Sequence, residues 1–196
     1  MAEGWVGDGA VTKLRLHAFL PFSRANGPGV RAVIWVQGCS LGCPGCFNPE
    51  THPFTGGELV SVGDLFERIA ALKKAVEGIT ISGGEPFQQR RPLLALLWRV
   101  RQETTLSVVL FTGYTWDEVQ RMPDADALLA CIDVLIAGRY DQTRRLARDL
   151  RGSANKTVHF LTNRYTMEDL QAVPYAEVII TAEGNVVMSG IEVVRW

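Results

Sequence analysis

The chain has 196 residues, of which 47% are hydrophobic and 21% are charged, and its formal net charge is -1. This length predicts one domain with a sizeable core, and the nearly neutral charge argues against a nucleic-acid-binding protein held by phosphate contacts. The sequence shows no signal-peptide pattern near its start and no apolar run of about 20 residues. We therefore predict a cytoplasmic protein that does not enter a membrane and whose cysteines stay reduced.

The first part of the chain predicts a tail followed by two strands. Residues 1–12 are rich in glycine and small residues and are expected to form a flexible tail, whereas residues 13–196 are treated as a single domain. Residues 13–22 predict a strand, and a turn containing glycine and proline leads into a buried strand at residues 32–36. Arg31, beside this turn, is expected to shape a rim where a partner would dock.

A cysteine loop follows the second strand, with the pattern C-x3-C-x2-C at Cys39, Cys43 and Cys46. Thiolates are soft ligands, and so short a loop can turn three sulfurs toward one iron-sulfur or zinc centre. The remaining cysteine, Cys131, lies in an apolar segment and is expected to be a small buried residue. Because an electron-transfer cluster of four irons normally has four cysteine ligands, three ligands would leave one iron open.

A closed structural zinc site is the alternative for this loop. His52 would complete a C-x3-C-x2-C-x5-H ligand set, which tetrahedral zinc can accept. Asn48, just after the loop, is expected either to cap a turn or to contact a bound ligand. Trp35 and Phe47 are expected in the core rather than stacked on a cofactor.

Helices and strands alternate after the cysteine loop. Residues 48–58 predict a loop, and Ser61 is expected to cap a helix with apolar residues at helical spacing that ends near Gly78. A strand at residues 79–82 then runs directly into a Gly-Gly-Glu-Pro sequence at residues 83–86.

The alternation continues beyond this motif. A second helix is predicted to start at Pro92, a strand covers residues 106–111, and Thr115 with Glu118 forms a capping box for a third helix. A further strand is predicted at residues 133–137. Strands that alternate with helices indicate a parallel sheet, whose functional groups gather at the carboxyl ends of the strands.

The last third of the chain is less regular. The arginine-rich segment 139–156 is expected to be mostly a solvated helix or loop, followed by a strand at residues 158–161 and a short helix that Thr166 opens. Residues 177–181 and 186–188 predict a terminal β-hairpin.

The cysteine loop and the Gly-Gly-Glu-Pro motif together resemble the pattern of radical S-adenosylmethionine (SAM) enzymes. The resemblance implies that Cys39, Cys43 and Cys46 hold a [4Fe-4S] cluster, that the open iron binds SAM, and that reduction cleaves SAM to a 5'-deoxyadenosyl radical. The implied SAM-binding residues follow a strand or the cysteine loop: Gly83, Gly84, Glu85, Asn48 and Thr112.

Within that superfamily the chain resembles the activating enzyme of anaerobic (class III) ribonucleotide reductase. The matching segments are NGPGVRAVIWVQGC, CPGCFNPETH, GITISGGEPF, FTGYTWDEV, IDVLIAGRYD and RGSANK. The resemblance implies a partial, open (β/α)6 barrel and an enzyme that installs a glycyl radical on the large subunit of the reductase. It also implies an external electron donor such as flavodoxin.

Some residues depart from that pattern. Ala137 stands where an acidic residue is usual, Lys156 replaces a glutamine, and the tail with its hairpin is longer. Two other functions stay open: a small radical SAM enzyme that modifies a peptide or metabolite, and an iron-sulfur or zinc protein that never cleaves SAM.

Overall fold

The computed structural model describes residues 12–180 and 183–192, so most of the predicted tail, residues 1–11, lies outside the described residues. The strands are β1 (Lys13–Ser23), β2 (Arg31–Val36), β3 (Glu58–Ser61), β4 (Gly78–Gly83), β5 (Ser107–Phe111), β6 (Val134–Ala137), β7 (Arg145–Arg148), β8 (Arg151–Ser153), β9 (Thr157–Phe160), β10 (Ala176–Ile180) and β11 (Val186–Gly190). The α-helices are α1 (Val62–Ala70), α2 (Arg90–Glu103), α3 (Trp116–Gln120), α4 (Ala125–Leu129) and α5 (Met167–Gln171).

The main sheet has seven strands in the order β3-β1-β2-β4-β5-β6-β9. Its centre is parallel, because β2 pairs with β4, β4 with β5, and β5 with β6 in the same direction. The strands at both ends, β1, β3 and β9, are antiparallel to their neighbours. The predicted α/β class and a sheet rich in parallel strands are confirmed, whereas the partial (β/α)6 barrel stays a prediction.

The core occupies both faces of the sheet. Successive residues of a strand point to opposite faces, and in β5 Val108 and Leu110 join the main cluster under α1 and α2, while Val109 joins a smaller cluster. That smaller cluster packs β5 and β6 against Leu170 of α5 and Val173. Because both faces of the central strands are buried, their sequences are nearly continuous apolar runs.

Helix α1 confirms the predicted cap but ends earlier than predicted. The Ser61 hydroxyl accepts a hydrogen bond from the backbone N–H of Asp64, as an N-cap residue does. The helix ends at Ala70 rather than near Gly78, and the chain continues in turns. The N–H of Glu77 then donates to the carbonyl of Val30, which joins the end of this turn segment to the residue before β2.

Two other predicted boundaries need correction. Pro92 is the third residue of α2, because a 3-10 helix at Pro86–Gln89 leads directly into that helix at Arg90. Residues 48–58 contain a 3-10 helix, Pro49–Thr51, and the first residue of β3. The capping box of Thr115 with Glu118 is confirmed at α3.

The arginine-rich segment differs from the prediction. It contains a 3-10 helix, Gln142–Arg144, and a two-stranded antiparallel sheet of β7 and β8. Asp149 and Leu150 form its tight turn with positive φ values of 54° and 60°. This turn places the Leu150 side chain in the smaller core cluster, so the segment is only partly solvated.

The predicted terminal hairpin is confirmed as β10 and β11, in which Val178 lies opposite Met188. It is attached to the turn after β1, because the Ser23 hydroxyl donates to Glu177 and the Asn26 amide donates to the Ser189 hydroxyl. Within the described ranges, none of the helices is long and apolar enough to cross a membrane.

Arg31 does not shape a docking rim, and that prediction is wrong. Its side chain is fully buried at the start of β2. The guanidinium donates to the hydroxyls of Thr80, Ser107 and Tyr165 and to the carbonyls of Pro28, Ile79 and Ser107. Arg31 therefore joins the amino ends of the parallel strands, opposite the cysteine loop.

Candidate iron-sulfur and SAM site

A cavity of about 490 Å³ lies at the carboxyl ends of the parallel strands. Its wall includes all three loop cysteines together with Gly83, Gly84 and Thr112, which follow β4 and β5. The fold therefore brings together the segments that the sequence predicted to share a site. This position agrees with the general rule that open α/β sheets bind ligands outside the carboxyl ends of their strands.

The cysteine loop is held by backbone hydrogen bonds to the segment that follows it. The N–H of Gly38 donates to the carbonyl of Thr51, and the N–H of Cys39 donates to that of His52. Gly45 has a φ of +67°, and a Cβ there would lie 2.1 Å from the side-chain oxygen of Gln142. The positive φ favours glycine at this position, where the loop lies against Gln142 of the segment after β6.

The three loop cysteines are half-buried, and each lies close enough to the others for their charges to interact. Burial raises the pKa of the Cys39 thiol, and the neighbouring thiols of Cys43 and Cys46 raise it further. Burial likewise raises the pKa of Cys46, although Lys156 opposes this change. Metal binding would replace the thiol protons.

The donor set fits an iron-sulfur cluster, because three thiols of one short loop line the same cavity. Cys131 is 1% exposed and packs in the main core. Its predicted burial is confirmed. No group of three or more His, Cys, Asp or Glu side chains in the described part of the chain is arranged to hold a single metal ion.

Gly83 and Gly84 line the cavity and also pack the end of β4 against the cysteine loop. A Cβ on Gly84 would lie 2.4 Å from the carbonyl oxygen of Gly38, and one on Gly83 would lie 2.7 Å from the backbone of Val36. The N–H of Glu85 donates to the Gly38 carbonyl. The two glycines therefore have a packing role in addition to the SAM contact that the sequence predicts.

The Glu85 carboxylate is turned away from solvent and binds protein donors. Oε1 accepts from the Thr112 hydroxyl at 2.8 Å and the Phe87 N–H at 3.0 Å, and Oε2 accepts from the Gly113 N–H at 2.7 Å. Burial raises the pKa of Glu85 to about 7, and these three hydrogen bonds oppose the rise. Glu85 thus joins the end of β4 to the turn after β5, and its predicted contact with SAM stays a prediction.

Thr112 and Asn48 both line the cavity. The Thr112 hydroxyl is already used, since it donates to Glu85 and accepts from the Tyr114 N–H at 3.0 Å. Asn48 precedes the 3-10 helix Pro49–Thr51 but makes no side-chain capping bond there. Its half-buried side chain lines the cavity, which favours the ligand-contact alternative over the capping one.

Several cavity residues were not predicted from the sequence. Trp35 and Phe47 were expected in the core but line the cavity, and the Phe47 ring lies 4.8 Å from that of Tyr140. Lys156 and residues 187–192 of the hairpin complete the wall. No local pattern marks these residues, although the replacement of a usual glutamine by Lys156 was visible.

The comparisons with known proteins agree with this site. The family described as 4Fe-4S single cluster domain matches residues 25–159, a span that includes the cysteine loop and the ends of β4 and β5. The fold and the site thus define an iron-sulfur protein.

The relatives are more specific. The chain is 33% identical over 156 residues to the anaerobic ribonucleoside-triphosphate reductase-activating protein of Vibrio cholerae, which covers 76% of this chain and 99% of the relative. It is 33% identical to the protein of that name in Escherichia coli K12, with the same coverage, and 31% identical to that of Enterobacteria phage T4, covering 69% of this chain and 87% of the relative. The chain belongs to the family of anaerobic ribonucleoside-triphosphate reductase-activating proteins, and the predicted resemblance to this activating enzyme is confirmed.

One solved structure, QueE from Escherichia coli, matches with a TM-score of 0.44 and 19% identity over 53% of this chain and 54% of that chain. This likeness is too distant to carry an argument about the fold.

Proposed function

We propose that the chain cleaves SAM reductively at a [4Fe-4S] cluster and uses the 5'-deoxyadenosyl radical to install a glycyl radical on an anaerobic ribonucleotide reductase. The observation that carries this proposal is the set of three half-buried thiols on one cavity, with Cys131 packed elsewhere. Three protein ligands would leave one iron of a [4Fe-4S] cluster free to bind SAM. Family membership supports the partner, and we place the enzyme in the cytoplasm with flavodoxin or a similar protein as electron donor.

The residues of the chain bind and orient the reactants in this proposal. Cys39, Cys43 and Cys46 would hold the cluster, which would supply the electron for cleavage of the SAM sulfonium. Gly83 and Gly84 would allow SAM to approach the backbone at the end of β4, and Asn48 and Thr112, which line the same cavity, would contact it.

Other residues that line the cavity have a separate role in the proposal. Phe47, Tyr140 and residues 187–192 form part of the wall of the cavity that the three cysteines line. Exclusion of water by such a wall protects a reactive primary radical from side reactions. With SAM bound, the chemistry supplied would be removal of one hydrogen atom from the Cα of the partner's glycine, which would yield 5'-deoxyadenosine and the glycyl radical. No side chain needs to act as an acid or base.

The first test is SAM cleavage by the protein alone. The protein is purified without oxygen, reconstituted with iron and sulfide, reduced with dithionite, and assayed for 5'-deoxyadenosine and methionine. We expect Cys43→Ala to lose bound iron and SAM cleavage together, while the matched control Cys131→Ala keeps both. Cleavage of SAM by Cys43→Ala, or stoichiometric zinc with intact SAM in the wild type, would refute the proposal.

The second test concerns the partner. Addition of the large subunit of an anaerobic ribonucleotide reductase is expected to produce a glycyl-radical signal by electron paramagnetic resonance. If SAM is consumed but only an added peptide or small metabolite is modified, the alternative of a different radical SAM enzyme holds.

A further inference from the structure

Lys156 is fixed at the edge of the cavity by its own turn and by the turn after β6. Its backbone N–H donates to the carbonyl of Ser153 at 3.2 Å, and its ammonium donates to the carbonyl of Gly138. Gly138 has a φ of +120°, and a Cβ there would lie 3.4 Å from the Cα of Lys156. The neighbouring Asn155 donates to the carbonyl of Arg139 at 2.8 Å, so the turn has little freedom to move the lysine away.

Lys156 lines the same cavity as the three loop cysteines. Burial lowers the pKa of Lys156, and the negative charges of Glu85, Cys43 and Cys46 oppose this change because they favour the ammonium form. None of the ion pairs found among residues 12–180 and 183–192 includes Lys156. The Gly138 carbonyl engages one of the three N–H donors of the ammonium.

We infer that Lys156 is a positioning residue that stabilises the reduced cluster, through the positive charge that it holds beside Cys43 and Cys46. The inference rests on the cluster of the proposed function. Reduction adds one electron from a one-electron donor to an anionic centre of iron, sulfide and thiolates, and no bond forms or breaks. A nearby fixed cation in a partly buried site favours the more negative state, so it raises the reduction potential.

The same geometry distinguishes Lys156 from the other cations near the site. Arg139 is paired with Glu118, and Arg145 with Glu192, so a carboxylate neutralises each guanidinium. Among the described residues that line the cavity, Lys156 is the one lysine or arginine, and its charge acts on both Glu85 and the cysteine loop.

The test is the midpoint potential of the reconstituted cluster, measured anaerobically from the signal of the reduced cluster in paramagnetic resonance, without SAM and without a partner. Lys156→Gln removes the charge and keeps a side-chain N–H for the Gly138 carbonyl, whereas Lys156→Arg keeps the charge. Lys74→Gln, an exposed lysine in the turn between α1 and β4, is the control for the loss of one charge elsewhere. We expect a more negative potential in Lys156→Gln, by more than any difference between Lys74→Gln and the wild type, and a potential near the wild type in Lys156→Arg.

An unchanged midpoint potential in Lys156→Gln, at the iron content of the wild type, overturns the inference. A shift in Lys156→Arg as large as that in Lys156→Gln also overturns it, because such a shift would come from altered packing and not from the charge. If Lys156→Gln assembles no cluster, the iron content of Lys156→Arg distinguishes the two explanations. An iron content equal to that of the wild type in Lys156→Arg supports a need for the positive charge. Loss of iron in Lys156→Arg shows a structural role and overturns the inference. Because SAM is absent, failure of SAM cleavage in the wild type would refute the proposed function without affecting this result.

Discussion

Glu85 combines complete burial with three hydrogen bonds that favour its ionised form. Burial is the largest influence and raises its pKa to about 7, above the ordinary value of 4.5. The folded state therefore keeps a proton that the unfolded chain loses at lower pH. This contribution to stability is fully present below pH 4.5 and is lost as the pH rises through 7.

We predict that the wild type loses about 3 kcal/mol of unfolding free energy relative to Glu85→Gln as the pH rises through this window. Chemical denaturation of the cluster-free protein, under reducing conditions at several pH values, measures the difference. Groups that titrate equally in both proteins cancel in the comparison. Parallel stability curves for the two proteins would show that the folded-state pKa of Glu85 is ordinary.

Arg31 illustrates how a buried charge can be held by neutral groups. All three of its side-chain nitrogens donate to hydroxyls or carbonyls of the surrounding strands and turns. We predict that Arg31→Ala lowers the unfolding free energy by about 3–5 kcal/mol, because it leaves a cavity and unpaired polar groups in the core. Denaturant titration checks this, with the exposed Arg24→Ala as control. A loss as small as that of the control would contradict it.

At the scale of elements, short helices near the site depend on their caps. Helix α3 has five residues. The Thr115 hydroxyl accepts a hydrogen bond from the Glu118 N–H, and the Glu118 carboxylate accepts one from the Thr115 N–H. Glu118 also pairs with Arg139, and this pairing holds the pKa of Glu118 down to about 2. The cap thus connects α3 to the turn after β6.

We predict that Thr115→Ala lowers the unfolding free energy by about 1 kcal/mol, as the loss of an N-cap hydroxyl does. Thr55→Ala, in the exposed loop before β3, should change it far less. Thermal or denaturant unfolding of the cluster-free proteins gives both values, and equal stabilities for the two variants would mean that the cap contributes nothing.

At the scale of the whole molecule, the terminal hairpin lies outside both buried clusters. The clusters end with Leu170 and Val173, and the family match ends at residue 159. The hairpin is attached by a few hydrogen bonds of Glu177 and Ser189 and by the exposed pair of Arg145 with Glu192. It nevertheless supplies one wall of the cavity.

We predict that a chain ending at Val173 still folds cooperatively and loses about 2 kcal/mol of unfolding free energy, since hydrogen bonds contribute about 1 kcal/mol each and exposed ion pairs less. A chain ending at residue 166 also loses α5 and the buried Leu170 and should be far less stable. Circular dichroism during denaturation compares the three chains. An unfolded Val173 chain would show that the hairpin belongs to the core.

Local signals in the sequence determined much of this protein. The spacing of the three cysteines, the apolar runs of the central strands, and the caps at Ser61 and Thr115 each lie within a few residues of chain, so hydrophobic period and turn chemistry indicate them directly. The same signals placed the cysteine loop, the Gly-Gly-Glu-Pro motif and Thr112 after strands.

The tertiary structure alone decided which groups face one another. Glu85 meets Thr112 and Gly113 across two strand ends, and Arg31 is enclosed by segments far away in the chain. Lys156 lines the same cavity as the cysteines only because β6 and β8 bring its turn there. Burial and hydrogen bonding between distant segments determine what these three residues contact. Neither produces a repeating pattern in the sequence. The sequence therefore predicted the chemistry of the ligands, and the fold determined which neighbouring charges and walls complete the site.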